Sequence, residues 1–238
     1  MTLLVGLRGS DGIVVASDSR GTFGDPRGVT AQNDAQKKLY VSSKYSCVLT
    51  AGSGELGANL MTEALGTIQE TDSVSQVLEK TRTLVRQRYS EWFPGFAIQP
   101  TVNNDPVRPD LALLIAGYDV GPGQSPEQKI FQLVSQLDFA PMLHNYGFGL
   151  VGIAQYALYL LNRLYQDNSS VEQLKALAAY VITETASQDG KVGGPVQMAI
   201  LTPDGTSQLD EASVREITQN NESKNTALRD SFFTRGKP

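Results

Sequence analysis

The order of two hydrophobic patterns limits the folds that this chain of 238 residues can adopt. Short β-type runs come first, followed by a pair of helical patterns, further β-type runs, a second helical pair and a last β-type run. A doubly wound parallel sheet alternates single strands with single helices, so this order argues against it. We expect an α+β fold in which two antiparallel sheets stack face to face, each covered by a helix pair.

The predicted elements fill most of the chain. Strands are predicted at 3–8, 13–17, 39–41, 45–51, 111–118, 130–137 and 196–201. Helices are predicted at 56–68, 74–85, 153–165 and 169–182, and polar loops at 21–36 and 92–109. We therefore predict one domain over residues 1–219 and a polar, weakly ordered C-terminal extension over 220–238.

Composition excludes several classes of protein. The chain has 20 Lys and Arg against 25 Asp and Glu, a net charge of −5, which argues against a nucleic-acid-binding surface. With one Cys and one His it can form no internal disulfide and no zinc site of the usual His/Cys ligand count. No run approaches the ~20 apolar residues of a membrane helix, and the N-terminus does not resemble a signal peptide. We expect a cytoplasmic protein without a membrane segment.

One glycine motif suggests a cofactor that its context disfavours. Residues 52–57 match G-x-G-x-x-G, which follows a predicted strand and opens a predicted helix, as in dinucleotide-binding proteins. That motif requires a second strand ending in an acidic residue, whereas Glu70 and Asp72 lie between two predicted helices. A dinucleotide-binding module stays an alternative hypothesis, and we predict neither a cofactor nor a metal.

Histidine, serine and cysteine, the usual catalytic residue types of hydrolases, do not indicate a catalytic site in this sequence. His144, the single histidine, lies in a turn-like stretch, and no serine stands in a G-x-S-x-G elbow. Cys47 lies within an apolar run and is interpreted as a packing residue. Thr2, in contrast, becomes the first residue if Met1 is removed, and a free N-terminal threonine carries a nucleophile and a base together. Its α-amine has a reference pKa of about 7.7–8.0, which suits proton transfer at neutral pH.

Five spaced segments add a family resemblance to Thr2. A strand ends in Asp18-Ser19-Arg20, a Lys-Lys step contains Lys38, and a small-residue turn contains Gly52. Residues 108–119 read RPDLALLIAGYD, and Asp189 precedes a Gly-Gly step. In this order the segments resemble the proteasome β-type subunits, which are N-terminal-nucleophile hydrolases. The similarity covers residues 2–205 and is that of a divergent bacterial or archaeal-type homologue.

The resemblance implies a four-layer αββα sandwich and a threonine peptidase that hydrolyses peptide amide bonds. Thr2 Oγ1 would attack the carbonyl, and its own amine would act as base and then as acid. Lys38 would assist by its charge, Asp18 and Arg20 would support that lysine, and the Gly52 N–H would bind the oxyanion. Asp189 would support the Thr2 amine.

The resemblance also implies a substrate pocket beside this site and a set of binding partners. The first side-chain pocket would be lined by uncharged residues, for which we expect no strong charge preference: Gly21, Gln36, Tyr40, Thr50 and Gly54. The implied partners are peptide or unfolded protein substrates, further copies of the chain in a homo-oligomeric ring, and a separate ATPase that unfolds substrates.

Two departures from the family pattern leave a second hypothesis open. The family usually has serines near the segment that reads Gly-Leu-Val-Gly at 149–152, and three residues after the late Asp, where this chain has Val192. Hydroxyls that help to bind the amine and its water are therefore missing. The alternative is a non-catalytic scaffold or ring subunit of the same fold.

Overall fold

The structure is a computed structural model that describes residues 2–25, 28–101, 105–121, 123 and 125–233. Its first half contains β1 (Leu3–Arg8), β2 (Ile13–Ser17), β3 (Gly21–Asp25), β4 (Gly28–Asn33), β5 (Leu39–Ser43), β6 (Ser46–Gly52), α1 (Gly54–Leu65) and α2 (Val74–Trp92). Its second half contains β7 (Leu111–Asp119), β8 (Glu127–Val134), β9 (Met142–Leu143), β10 (Phe148–Gly152), α3 (Gln155–Leu164), α4 (Val171–Gln188), β11 (Gln197–Thr202), β12 (Gly205–Gln208) and α5 (Glu211–Phe233). The fold is α+β, as the pattern order predicts.

The strands form two five-stranded antiparallel sheets. The first sheet has the order β10-β1-β2-β11-β12, and the second has the order β5-β6-β7-β8-β9. Strand β1 is an interior strand of the first sheet, between β10 and β2, with Leu3 opposite Gly152 on one side and Leu4 opposite Ser17 on the other. The residue before β1 therefore lies where β2 and β10 also end.

The predicted loop at 21–36 contains a separate hairpin. Strands β3 and β4 pair antiparallel, with Gly21 opposite Asn33. The sequence of this segment does not alternate apolar and polar residues, and Phe23 is exposed, so periodicity could not reveal the hairpin. This part of the loop prediction is wrong.

Three clusters of buried apolar residues show how the layers pack. One joins the first sheet to α3, α4 and α5, and a second joins the second sheet to α1 and α2. The third lies between the sheets and includes Leu4 and Val15 from the first and Leu49 and Leu114 from the second. Truncating such a buried leucine to alanine costs about 2–5 kcal/mol. The sheets are thereby fixed against each other beside the start of β1.

Helix α5 crosses the predicted boundary between residues 219 and 220. Val214 is buried against the first-sheet cluster, and Asn221 Nδ2 donates to the carbonyl of Ala176 in α4 at 2.8 Å. The expected weakly ordered extension is therefore a helix as far as Phe233, and residues 234–238 lie outside the described part of the chain. Its mostly polar sequence hides it, because few of its side chains face α4. Over the described residues, no helix is long and apolar enough to cross a membrane.

The topology overturns the dinucleotide-binding hypothesis. Helix α1 does follow β6 at Gly52, but the next strand, β7, comes only after α2 and pairs antiparallel with β6. A dinucleotide site requires a parallel strand–helix–strand unit whose helix N-terminus faces the pyrophosphate. The glycines therefore serve the turn between β6 and α1.

Candidate active site

Thr2 is buried directly before β1, between the ends of the two neighbouring strands. Its carbonyl accepts a hydrogen bond from the Ile153 amide at 2.9 Å. Gly152 has a positive φ of 96°, and a Cβ atom there would collide with the Thr2 carbonyl oxygen. Only glycine allows this close approach. Met1 lies outside the described residues, so its removal stays a prediction.

Asp18 lies at the end of β2 and is fully buried. Its Oδ1 accepts from the Leu3 amide at 3.1 Å and from Lys38 Nζ at 2.8 Å. Its Oδ2 accepts from the amides of Arg20 at 3.2 Å and Gly193 at 3.1 Å. Four donors compensate the loss of water around this carboxylate. The shared Oδ1 places the lysine ammonium beside the backbone that follows Thr2.

Lys38 is buried next to Asp18 at the start of β5. Besides Asp18, its Nζ donates to the carbonyl of Arg20 at 2.6 Å. Loss of hydration lowers the pKa of Lys38 below its ordinary value, although the Asp18 carboxylate opposes that change. The ammonium is thus fixed in place and poorly hydrated, and its field acts strongly on nearby groups.

Arg20 joins this cluster through its main chain, while its guanidinium points to a second carboxylate. Nε and Nη2 donate to the two oxygens of Asp34 at 2.7 and 2.8 Å, and Nη1 donates to the Gly190 carbonyl at 3.1 Å. The Asp34 carboxylate raises the pKa of Arg20, and the guanidinium lowers the pKa of Asp34. The bidentate pair therefore orients the loop whose carbonyl binds Lys38. Asp34 is a residue that sequence reasoning missed.

Gln197 is a second missed residue, and it fixes the main chain of Lys38. Its Oε1 accepts from the amides of Lys38 at 3.1 Å and Leu39 at 3.2 Å. Its Nε2 donates to the Gln36 carbonyl at 2.7 Å. Gln197 begins β11 in the first sheet, whereas Leu39 begins β5 in the second. The side chain thus ties the lysine-bearing strand to the sheet that carries Asp18.

Gly52 and Thr2 line one cavity of about 510 Å³, here called the Thr2 cavity. Gly52 ends β6 with a positive φ of 102°, and a Cβ atom there would collide with the Asp110 carbonyl. The backbone can therefore come close to a bound molecule at this turn. The remaining lining residues are Ala51, Ser53, Asp110, Ala112, Gln132, Val134, Gln136, Val151, Gly152 and Ile153.

Asp189 is connected to the cluster only indirectly. It follows α4, and its Oδ1 accepts from the Lys191 amide at 2.9 Å. The loop that it begins supplies the Gly190 carbonyl to Arg20 and the Gly193 amide to Asp18. Over the described residues, no hydrogen bond joins Asp189 to Thr2. Its predicted support of the Thr2 amine therefore stays a prediction.

The predicted side-chain pocket contains three residues that meet and two that lie deeper. The Gln36 side chain fills the space between Gly21 and Gly54, because Cβ atoms on either glycine would press against its amide. Tyr40 and Thr50 are buried, and Tyr40 packs in the cluster of the second sheet with α1 and α2. Burial raises the pKa of Tyr40, so the phenol stays neutral. None of these five residues is charged, and the Gln36 side chain narrows the pocket.

The other reactive residue types lie elsewhere. Cys47 is buried between the two sheets, and burial raises the pKa of its thiol. His144 is half-buried and packs over Gly149 of β10, and burial lowers its pKa. In the described part of the chain, no three His, Cys, Asp or Glu side chains are grouped to hold a metal ion. Asp18 and Lys38, in contrast, lie beside the backbone that follows Thr2.

The chain is similar to named proteasome subunits along most of its length, although no family model matches it. It is 24% identical to a proteasome subunit beta from Mycolicibacterium vanbaalenii, over 99% of this chain and 77% of the relative. It is 25% identical to one from Streptosporangium roseum, over 90% and 73%, and 24% identical to one from Halorubrum lacusprofundi, over 86% and 74%.

Solved structures share the fold. Anbu (ancestral beta-subunit) from Yersinia bercovieri matches with a TM-score of 0.71 and 15% identity, over 99% of this chain and 98% of that one. Anbu from Hyphomicrobium sp. strain MC1 matches with a TM-score of 0.67 and 18% identity, over 99% of both. Together with the sequence relatives, these matches confirm the resemblance inferred from the spaced segments. The chain is a divergent relative of the proteasome β-type subunits.

Proposed function

We propose that this chain is a threonine peptidase that hydrolyses peptide amide bonds through Thr2 once Met1 has been removed. The observation that carries the proposal is the shared Oδ1 atom of Asp18, which binds Lys38 Nζ and the Leu3 amide together. A buried lysine ammonium is thereby fixed beside the N-terminal threonine. A cavity that Thr2 itself lines provides room for a substrate.

The proposed reaction needs no group from outside the chain other than water. Thr2 Oγ1 attacks the carbonyl carbon while its proton passes to the free Thr2 amine, and the resulting oxyanion accepts from the Gly52 N–H. The C–N bond then breaks, and the leaving amine takes the proton from the Thr2 ammonium. Water next attacks the Thr2 ester, which releases the acid and restores the hydroxyl.

Lys38 has an electrostatic part in this proposal. A positive charge near the α-amine favours its neutral form, which is the form that accepts a proton. The same charge stabilises the developing alkoxide on Thr2. Because Asp18, the Arg20 carbonyl and Gln197 fix the lysine at both ends, little reorganisation is required during the reaction.

The two missing hydroxyls support a competing proposal of a non-catalytic ring subunit. Val192 is fully buried in the apolar cluster of the first sheet, so it cannot replace a polar side chain near the amine. Val151 and Gly152, in the other segment that lacks a serine, line the Thr2 cavity without offering a hydroxyl. Water or main-chain groups would then have to bind the amine in their place.

We also propose that the packed layers form the αββα sandwich of N-terminal-nucleophile hydrolases and that the chain assembles into a homo-oligomeric ring in the cytoplasm. Support for a ring comes from relatives named as proteasome subunits and from exposed apolar side chains on α3, namely Tyr156, Leu158, Tyr159 and Leu164. Such side chains are typical of interfaces. The substrates would be peptides or unfolded proteins that enter the interior of the ring, and a separate ATPase would unfold the protein substrates.

Turnover of short blocked peptide amides tests the peptidase proposal. We expect Thr2→Ala to reduce kcat/KM about a thousandfold or more, because it removes the nucleophile. Thr62→Ala, at an exposed position of α1, is the matched control and should leave turnover unchanged. Equal turnover in the Thr2→Ala and parent chains would contradict the peptidase. No turnover in either would favour the non-catalytic subunit.

A further inference from the structure

The Thr2 cavity differs in charge from the narrow pocket around Gln36. Its walls include apolar side chains from both sheets, such as Ala112 and Val151, and the amide side chains of Gln132 and Gln136. Asp110 is the one charged residue among those that line it. The cavity thus combines an apolar interior with a single carboxylate, and the proposed function leaves open which substrate side chain it would take.

The position of Asp110 is well defined. Its carbonyl accepts from the Ser53 amide at 2.7 Å, directly after Gly52. Its Oδ1 accepts from Gln136 Nε2 at 2.6 Å, which orients the carboxylate. The carboxylate therefore stands in the same cavity wall as the Gly52 turn.

The Asp110 carboxylate has no cation as a partner within the described residues. The nearest arginine in sequence, Arg108, instead donates to Asp138 at 3.3 Å. No Lys or Arg of the described ranges forms an ion pair with Asp110. A cationic group that enters the Thr2 cavity would therefore meet a carboxylate whose charge no cation of the described residues balances.

We propose that the Thr2 cavity binds a lysine or arginine side chain of the substrate, at a position next to the cleaved bond. This inference rests on the proposed peptidase function. The methylene groups of such a side chain would pack on the apolar wall while its charged end reaches Asp110 at the rim, as long cationic side chains commonly do. A glutamate at that position would be repelled.

Paired peptides test this assignment. Each pair differs only in lysine against norleucine, which has a similar apolar length without the charge, at one position flanking the cleaved bond. We expect the lysine peptide to be preferred two- to five-fold at one position, as is typical of an exposed ion pair. Asp110→Asn should abolish the preference, and high salt should weaken it. Asp105→Asn, which removes another exposed carboxylate outside the cavity, should preserve it.

Equilibrium binding to the Thr2→Ala chain separates this inference from the peptidase proposal, because it requires no turnover. A lysine preference in binding that Asp110→Asn removes supports the cavity assignment even if the parent chain proves inactive. Turnover without a lysine preference, the same preference in the Asp110→Asn variant, or no binding of either peptide would overturn the assignment.

Discussion

Two ion pairs of almost equal length, linked through the Arg20 carbonyl that binds Lys38, lie in very different environments. Lys38 Nζ and Asp18 Oδ1 are 2.8 Å apart, and their side chains are 3% and 0% exposed. Arg20 Nε and Asp34 Oδ1 are 2.7 Å apart, and their side chains are 21% and 44% exposed. When a buried pair loses one partner, the remaining charge is left uncompensated in the interior. When an exposed pair loses one partner, water and salt ions solvate the remaining charge. Distance alone therefore does not reveal which pair the site depends on.

Removing the buried lysine should have the largest effect. Lys38→Met leaves the Asp18 carboxylate in the interior without its cation, and we expect the free energy of unfolding to fall by about 3–5 kcal/mol. Urea denaturation measures this change, and turnover of peptide amides should be lost with it. Lys37→Met is the matched control, because the ammonium of that exposed lysine lies over the Tyr40 ring, at 4.8 Å, and forms no ion pair within the described residues. Similar effects from the two variants would contradict the stabilising role assigned to the buried Lys38–Asp18 pair.

Gln197→Met should have the next largest effect on the buried pair. It removes one donor and one acceptor and leaves the amides of Lys38 and Leu39 without their acceptor, which costs about 1–3 kcal/mol. Because the lysine would be less well positioned, kcat should fall more than KM rises. Gln197→Glu retains an acceptor and should recover part of kcat, while Gln219→Met, at an exposed position of α5, should change neither stability nor kcat. A loss of stability with unchanged kcat would limit Gln197 to a structural role.

Shortening Gln36 should change selectivity rather than stability. Gln36→Ala empties the space between Gly21 and Gly54, so peptides with a bulky residue in this pocket should gain up to about tenfold over those with alanine. Parallel kcat/KM measurements on the two peptides test this, with Gln87→Ala on α2 as the control. An unchanged ratio would indicate that the pocket lies elsewhere.

The exposed pair should give the smallest effect, and that effect depends on pH. Arg20 lowers the pKa of Asp34 below its usual 3.8, so the pair contributes stability above that pH and loses it as the pH falls through the lowered pKa. We expect Asp34→Asn to be less stable than the parent by under about 1 kcal/mol at pH 7, because solvent screens the pair. In urea titrations the difference should vanish at low pH. A difference that grows on acidification would contradict this assignment of charge.

The sequence predicted the parts of this molecule that leave a local pattern. The order of strand and helix patterns predicted the antiparallel α+β fold, because apolar spacing follows the local secondary structure. The motifs around Asp18, Lys38 and Gly52 predicted residues that the structure places near Thr2 or in the cavity beside it. Helix α5 was missed because its buried contacts at Val214 and Asn221 are too few to create a periodic pattern.

Long-range polar contacts escaped prediction. Asp34 and Gln197 look like ordinary polar residues in the sequence, and their roles come from partners up to 161 positions away. The pairing of β10 with β1, which brings Gly152 against Thr2, also depends on chain topology. Such contacts have no signature in a single sequence, since any polar side chain can form them once the fold brings it close.

Intact-mass spectrometry of the purified full-length chain, before and after exposure to a peptide electrophile that reacts with N-terminal threonine, tests the central claim most directly. We expect a chain that lacks Met1 and gains one adduct, which peptide mapping assigns to Thr2 and which forms much more slowly in Lys38→Met but not in Lys37→Met. A retained Met1, or an adduct on any other residue, would contradict it.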